Sequence, residues 1–473
     1  MITASLTALA VRTGGFVLVP MHGIGNRRDL PLPFGFVVGG AAAALVVSFV
    51  VLFFAWRSPR YRPLLDPLAR QVSDVLTAVV DARGFRIAVR VVVLLVYLWA
   101  GLALFAGQDL LTNPVFGFVF VWMWVGLVPL SLLLGPWLRV TNPLRTLHRG
   151  LCALARTDPD EGLATLPARL GCWPAAVGIF GFAWLELIQP DRTTLPVLRV
   201  WALAWLVLLV LGAVVFGRRW IAAADPFEVY ASAVARLSPW RRVDGRVTLV
   251  NPLAGLTAST PPPGSAAVVA ALLGSTAYDS FSNTTFWIST VQDSTLPPEL
   301  WQTGGLLVMM LAVGLSFGLG TVLMAPFTAP RRRAVELPRL MAPTVVPIVV
   351  GYAIAHYATL LVVEGQRTAI HWSDPLGLGW NVFGSARMGV NASIYDHPTA
   401  VAVVQVVAIV GGHVLGIVAA HEKSLQLFAP AGADGRTAPG AEPGLRTVVL
   451  GQLPLLVVMV FYTCAGLLLL FSP

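Results

Sequence analysis

Three ionisable residues stand where apolar ones surround them: Glu186 in FAWLELIQP, Asp279 in LLGSTAYDSFSNTTFW and His356 in GYAIAHYATLLVVEG. A carboxylate and an imidazole within reach of each other can take up and pass on a proton, or remove one from a water. Histidine suits this work because its charge changes between about pH 5 and 8. Asp279, His356 and Glu186 are therefore the expected catalytic set, with His356 as base or ligand and the carboxylates as ligands or orienters. Ser275, Asn283, Gln405, Trp380 and Asn381 are the expected substrate contacts. His413, in VAIVGGHVLGIVAAHE, reads either as a step in a proton path or as a packed hydrogen bonder beside Gly412 and Gly416. His22 with His356 and Asp279 would make a mixed nitrogen and oxygen donor set for a divalent metal such as zinc or copper. No HxH, HExxH or CxxC spacing accompanies it. Each residue also has a purely structural reading. Glu186 beside Trp184 can reach headgroups, Asp279 can cap a helix end, and His356 can bond a neighbouring helix.

These residues must be positioned by membrane helices. A bilayer core needs about 20 apolar residues per helix. Runs of that kind lie at 34–56, 85–107, 112–135, 170–189, 195–217, 264–287, 302–327, 340–364, 397–421 and 445–471. The arginines fall in alternate gaps: five in 57–84, five in 136–169, six in 218–263 and four in 328–339. The intervening gaps hold Asp109, Asp191, Asp293, Glu299 and Asp374. The positive-inside rule then places the arginine loops in the cytoplasm and both termini outside, in the cell membrane. Arg27 and Arg28 run against that rule. On this topology Glu186, Asp279, His356 and Gln405 come to similar depth toward the outside, where their convergence would make an outward-facing polar pocket. His421 and Glu422 fall at the inner end of the ninth run and read as solvated.

The sixth run departs from the rest. Its apolar part, Ala266 to Tyr278, is short, and Asp279, Ser280, Ser282, Asn283, Thr284 and Thr285 follow. Irregular polar backbone at membrane depth is tolerated only inside protein or beside water. An interrupted span here would free backbone groups for a substrate or an ion.

The expected fold is therefore an all-α, polytopic bundle of about ten spans. An outward segment, 1–33, precedes a first membrane half, 34–217. A cytoplasmic amphipathic and hairpin linker, 218–263, joins it to a second half, 264–473. Within the linker, ADPFEVYASAVARLSPW has the spacing of an amphipathic helix on the membrane surface. The following segment predicts a hairpin around Asp244-Gly245.

Composition agrees. The chain is 56% hydrophobic and 12% charged, against about 25% charged in soluble domains. Its net charge of +9 follows from the loop arginines, so no nucleic-acid partner is expected. The three cysteines, Cys152, Cys172 and Cys464, have no metal-like spacing. Gly314-Leu315-Ser316-Phe317-Gly318 matches a nucleophile elbow, but it lies within an apolar run and lacks the strand–turn–helix context that motif needs.

In HGIGNRRDLPLP, the ADPFEVYASAVARLSPW stretch, LLGSTAYDSFSN, GWNVFGSA and GGHVLGIVAAHE, the chain resembles the actinobacterial multi-pass membrane proteins known as fenitrothion hydrolases. The likeness runs from His22 to the last span. It implies hydrolysis of an aryl phosphotriester, with a metal or a His/Asp pair activating water toward phosphorus. Three functions follow as expectations: a membrane-embedded hydrolase, a proton-coupled or small-solute transporter, or a non-catalytic subunit of a membrane protein complex. The first two need a small-molecule substrate, and all three need a lipid bilayer.

Overall fold

The computed structural model describes residues 27–61, 70–258, 260–430 and 442–471. His22 and most of the 428–442 stretch lie outside them. The chain is about 72% helical. Among the described residues, seven helices are long and apolar enough to cross a bilayer. They are α1 (Phe34–Ala55), α2 (Arg83–Ala106), α7 (Leu195–Phe216), α12 (Pro298–Val322), α13 (Val346–His371), α14 (Pro398–Phe428) and α15 (Leu445–Leu470). At 1.5 Å per residue the shortest of these is about 33 Å long, enough for the hydrocarbon core. The protein is a multi-pass helical membrane protein.

The three remaining runs are helical too, each with a physical reason for falling short. The third is split into α3 (Pro114–Met123) and α4 (Leu127–Leu134), bent by 48°. Phe118–Met123 is π-helical, a usual source of such kinks. The fourth, α6 (Trp173–Leu187), has 15 residues. The sixth, α10 (Ser265–Ser282), carries too many polar residues to qualify. Its interruption is not where the apolar run ends. The helix continues through Asp279 to Ser282, and α11 (Thr285–Gln292) begins after Asn283 and Thr284.

Between α7 and α10 lie α8 (Arg218–Ala224), α9 (Pro226–Val234) and a hairpin of β2 (Trp240–Val243) and β3 (Arg246–Leu249). Its turn is at Asp244-Gly245, both at positive φ. β1 (Arg70–Gln71) adds antiparallel to β3, giving the order β1-β3-β2. The expected surface helix is corrected here. Pro226, Phe227, Glu228, Tyr230, Ala231 and Val234 are all buried, so α9 lies inside the helical body and not on a lipid surface. It runs beside α6. Pro226 faces Gly178, where an added Cβ would come within 3.1 Å, and Phe227 packs edge-on against Phe182.

α6 packs against α10, so the helices before and after 218–263 share one core. The two described ends of the chain also meet. Arg27 Nε donates to the Phe471 carbonyl at 2.8 Å, and its guanidinium lies over the Phe34 ring.

Candidate functional site

α10 and α13 carry the centre of the site. Asp279 and His356 are 1% and 3% exposed, and Asp279 Oδ2 lies 2.8 Å from His356 Nε2. Tyr357 Oη donates to the same carboxylate oxygen at 2.8 Å. The next residue on α10, Ser280, shares a 3.0 Å hydrogen bond with Tyr352 Oη. Tyr352 stacks along His356, and Tyr357 meets its ring edge-on. Tyr352 and His356, four apart, share one face of α13, and Tyr357, the next residue round the helix, reaches the same carboxylate with its longer side chain.

Two further elements close on the pair. Glu186, near the end of α6, is 6% exposed, and its charge reaches Asp279, Tyr230 of α9 and Tyr357. Gln405 of α14 is 2% exposed and donates from Nε2 to the Ala355 carbonyl at 3.0 Å. Of the four residues expected at one depth, Asp279 and His356 meet directly, Gln405 bonds the backbone one residue before His356, and Glu186 lies within electrostatic reach of Asp279. The expected open pocket is corrected: all four are buried, so this is a packed polar centre.

The helix end beyond Asp279 explains itself locally. Ser282 Oγ and Asn283 Nδ2 donate to the Asp279 carbonyl at 2.9 and 2.7 Å. Thr284 Oγ1 donates to Phe281 O and accepts from Trp287 N, capping α11. The polar run therefore satisfies the backbone groups that the break would have freed. That corrects the role expected of Asn283, which caps its own helix. Ser275 Oγ donates to Leu272 O within α10. Trp380 is 40% exposed in the loop after α13, where Asn381 Oδ1 accepts from Ala386 N. The described contacts tie neither residue to Asp279.

His413 is 1% exposed, with Nδ1 on the Ile409 carbonyl at 2.8 Å and Nε2 without a hydrogen-bond partner among the described residues. It sits beside a close approach of α13 and α14. A Cβ on Gly412 would lie 2.6 Å from Pro347 O, and one on Gly351 would lie 2.3 Å from Ala408 O. Ser316 donates to Ala312 O at 2.6 Å and bonds Tyr462 Oη at 2.8 Å in mid-helix α12, so it is no nucleophile elbow. Of its flanking glycines only Gly314 packs, against Ala270, while Gly318 faces open space.

His421 and Glu422 are corrected from solvated to buried, at 1% and 0% exposure. The chain after α1 folds back over them. Trp56 Nε1, Arg60 N, Tyr61 N and Gln426 Nε2 all donate to the Glu422 carboxylate at 3.0–3.1 Å. His421 bonds Gln452 Oε1 and the Trp56 carbonyl.

A second buried polar cluster was not anticipated. Asn142 caps α5 (Pro143–Ala155) and Asp225 caps α9, each followed by proline. Asn142 Nδ2 donates to Asp225 Oδ2 at 2.7 Å and to Glu228 Oε2 at 2.8 Å. Arg145 grips Glu228 with Nε and Nη2 at 2.7 and 2.5 Å. Burial, reinforced by the Glu228 charge, pushes the Asp225 carboxyl up to about 7. The legible signal was the pair of Asx-Pro dipeptides, Asn142-Pro143 and Asp225-Pro226, each a helix start.

No group of three or more His, Cys, Asp or Glu side chains among the described residues could hold a metal. Of the expected metal donors, Asp279 and His356 are in contact, and His22 lies outside the described residues. Fold and site together define a multi-pass helical membrane protein built around a buried carboxylate–imidazole centre. No family model, curated protein or solved structure matches the chain.

Proposed function

We propose that the protein moves a small solute across the cell membrane, coupled to a proton bound at Asp279 and His356. The observation that carries this is the 2.8 Å approach of His356 Nε2 to Asp279 Oδ2, with both groups buried among the helices. Ionisable groups inside a membrane are costly, and those facing the bundle interior mark ion and proton routes. Tyr357 donates to Oδ2 and so holds the carboxylate in place. The neutral imidazole donates from Nε2 to the same oxygen. A proton arriving at Nδ1 converts the contact into an ion pair, and its departure restores the neutral donor. Glu186 is a further buried carboxyl within electrostatic reach of Asp279, and two such carboxylates resist being ionised together.

In this reading the ten apolar runs make ten crossings, five on either side of 218–263, with α10 ending early. Both termini face outward. The Arg27–Phe471 contact supports a common side for the ends, and the arginine alternation supports the direction.

Aryl phosphotriester hydrolysis is the second reading. It is favoured by the position of Asp279 within LLGSTAYDSFSN, one of the segments that resemble the fenitrothion hydrolases. His356 would then be the general base toward water and Asp279 its orienting partner.

Two assays on the purified full chain separate these readings. Proteoliposomes with an internal pH-sensitive dye report proton movement under candidate solutes, and release of a nitrophenol reports phosphotriester turnover. Proton movement that His356→Ala abolishes supports transport. Turnover that His356→Ala abolishes supports hydrolysis. Neither signal above protein-free controls, or both unchanged in the variant, sinks the proton-centre account.

A further inference from the structure

A set of cations that the Asp279 centre does not use gathers around the short helix Ala254–Thr257. Arg236 lies in the turn Ala235–Leu237 after α9, Arg241 in β2 and Lys423 near the end of α14. Arg241 Nη2 donates to the Arg236 carbonyl at 3.3 Å. A Cβ built on Gly255 would lie 2.0 Å from both that carbonyl oxygen and that Nη2. The guanidinium is therefore pressed against bare backbone that only glycine can supply. Two residues on, the Thr257 carbonyl accepts from Lys423 Nζ at 2.9 Å. Arg139 Nε donates to Ser232 Oγ at 3.0 Å, one helical turn before Arg236.

These cations feel one another. The charges of Arg139 and Arg241 reach Arg236, and those of Arg332 and Arg236 reach Lys423. Burial, followed by those two like charges, pulls Arg236 down to about 10. Arg241 Nε is buried without a hydrogen-bond partner among the described residues. Glu422, whose charge also reaches Lys423, is committed to Trp56, Arg60, Tyr61 and Gln426. Packing like charges together costs free energy that a bound anion would offset. Guanidinium forks match phosphate oxygens, and basic pockets between membrane helices hold phosphate headgroups.

We propose that Arg236, Arg241 and Lys423, flanked by Arg139 and Arg332, bind a phosphate group carried by an anionic phospholipid or by soluble phosphate. The three inner cations hold it from the protein side, and the two exposed arginines close over it. The proposal is independent of what the Asp279 centre does.

The test uses the full chain in nanodiscs of phosphatidylcholine alone or mixed with phosphatidylglycerol. Native mass spectrometry counts retained lipid, with inorganic phosphate added in a parallel arm. With a factor of about five for each cation that meets the headgroup, Arg236→Gln/Arg241→Gln should lower phosphatidylglycerol retention roughly thirtyfold. Retention that inorganic phosphate does not displace assigns the site to lipid, whereas displacement by millimolar phosphate assigns it to the soluble anion. The exposed pair Arg139→Gln/Arg332→Gln, which leaves the buried contacts intact, should lower retention in the same direction. Equal retention of both lipids by wild type with no phosphate bound, or retention unchanged in both variants, overturns the proposal.

Discussion

Asp279 on α10 and His356 on α13 meet at 2.8 Å in the interior of the bundle, and Tyr357 bonds the same carboxylate oxygen. Removing one member of a buried pair leaves the other without its compensating partner, at a cost of about 3–5 kcal/mol. His356→Ala should therefore destabilise the purified protein by that order, read from thermal or denaturant unfolding in detergent. Tyr357→Phe removes one hydrogen bond and should cost about 1 kcal/mol. Equal, small effects from both would mean that the pair is not a packed contact.

Helix approach at Gly412 gives a steric prediction. Gly412→Val places atoms where a Cβ alone would already lie 2.6 Å from Pro347 O. Overpacking of this kind costs about 1–3 kcal/mol or more. Gly411→Ala, one residue away with nothing within 4 Å, is the matched control and should leave the melting temperature unchanged.

The second cluster predicts a pH dependence. The Asp225 carboxyl is raised to about 7, chiefly by burial and then by Glu228, from an ordinary value of 3.8. Because the folded state holds this proton more tightly, its stabilising contribution is full below about pH 4 and is lost as pH rises through about 7. From pH 5 to pH 8 this group alone should reduce stability by on the order of 2 kcal/mol. Asp225→Asn keeps a capping side chain and should flatten that slope in unfolding measurements across the range. A slope as steep in the variant as in wild type would remove Asp225 as its source.

Ser316 predicts a negative result. Its hydroxyl is spent on Ala312 O and Tyr462 in mid-helix. Ser316→Ala should leave any phosphotriester turnover at the wild-type rate and shift stability by no more than about 1 kcal/mol. A serine-reactive fluorophosphonate should not label this residue.

How much of this was legible in the residues differs by element. All ten apolar runs are helical, because burying backbone in lipid leaves little choice of structure. Asp279, His356, Glu186 and Gln405 stand out in the sequence because an ionisable or amide group in an apolar run is conspicuous. Tyr357 was passed over because a tyrosine in such a run reads as core. α9 looked like a surface helix because its amphipathic spacing is equally served by a protein-facing polar cluster, which Asn142 and Arg145 supply. His421 and Glu422 read as solvated because the chain that covers them, Trp56 to Tyr61, is more than 350 residues away in sequence. Trp380 and Asn381 belong to the loop after α13, where the hydrogen bond of Asn381 is local, which spacing does not reveal.

The account turns on whether one proton is bound and released at the Asp279–His356 contact. pH-difference infrared spectroscopy of the reconstituted protein measures this through the imidazole ring modes. The expected result is an imidazole-to-imidazolium difference band in wild type that disappears in His356→Ala and shifts in Asp279→Asn. A difference spectrum identical in wild type and His356→Ala would contradict a proton bound at this contact.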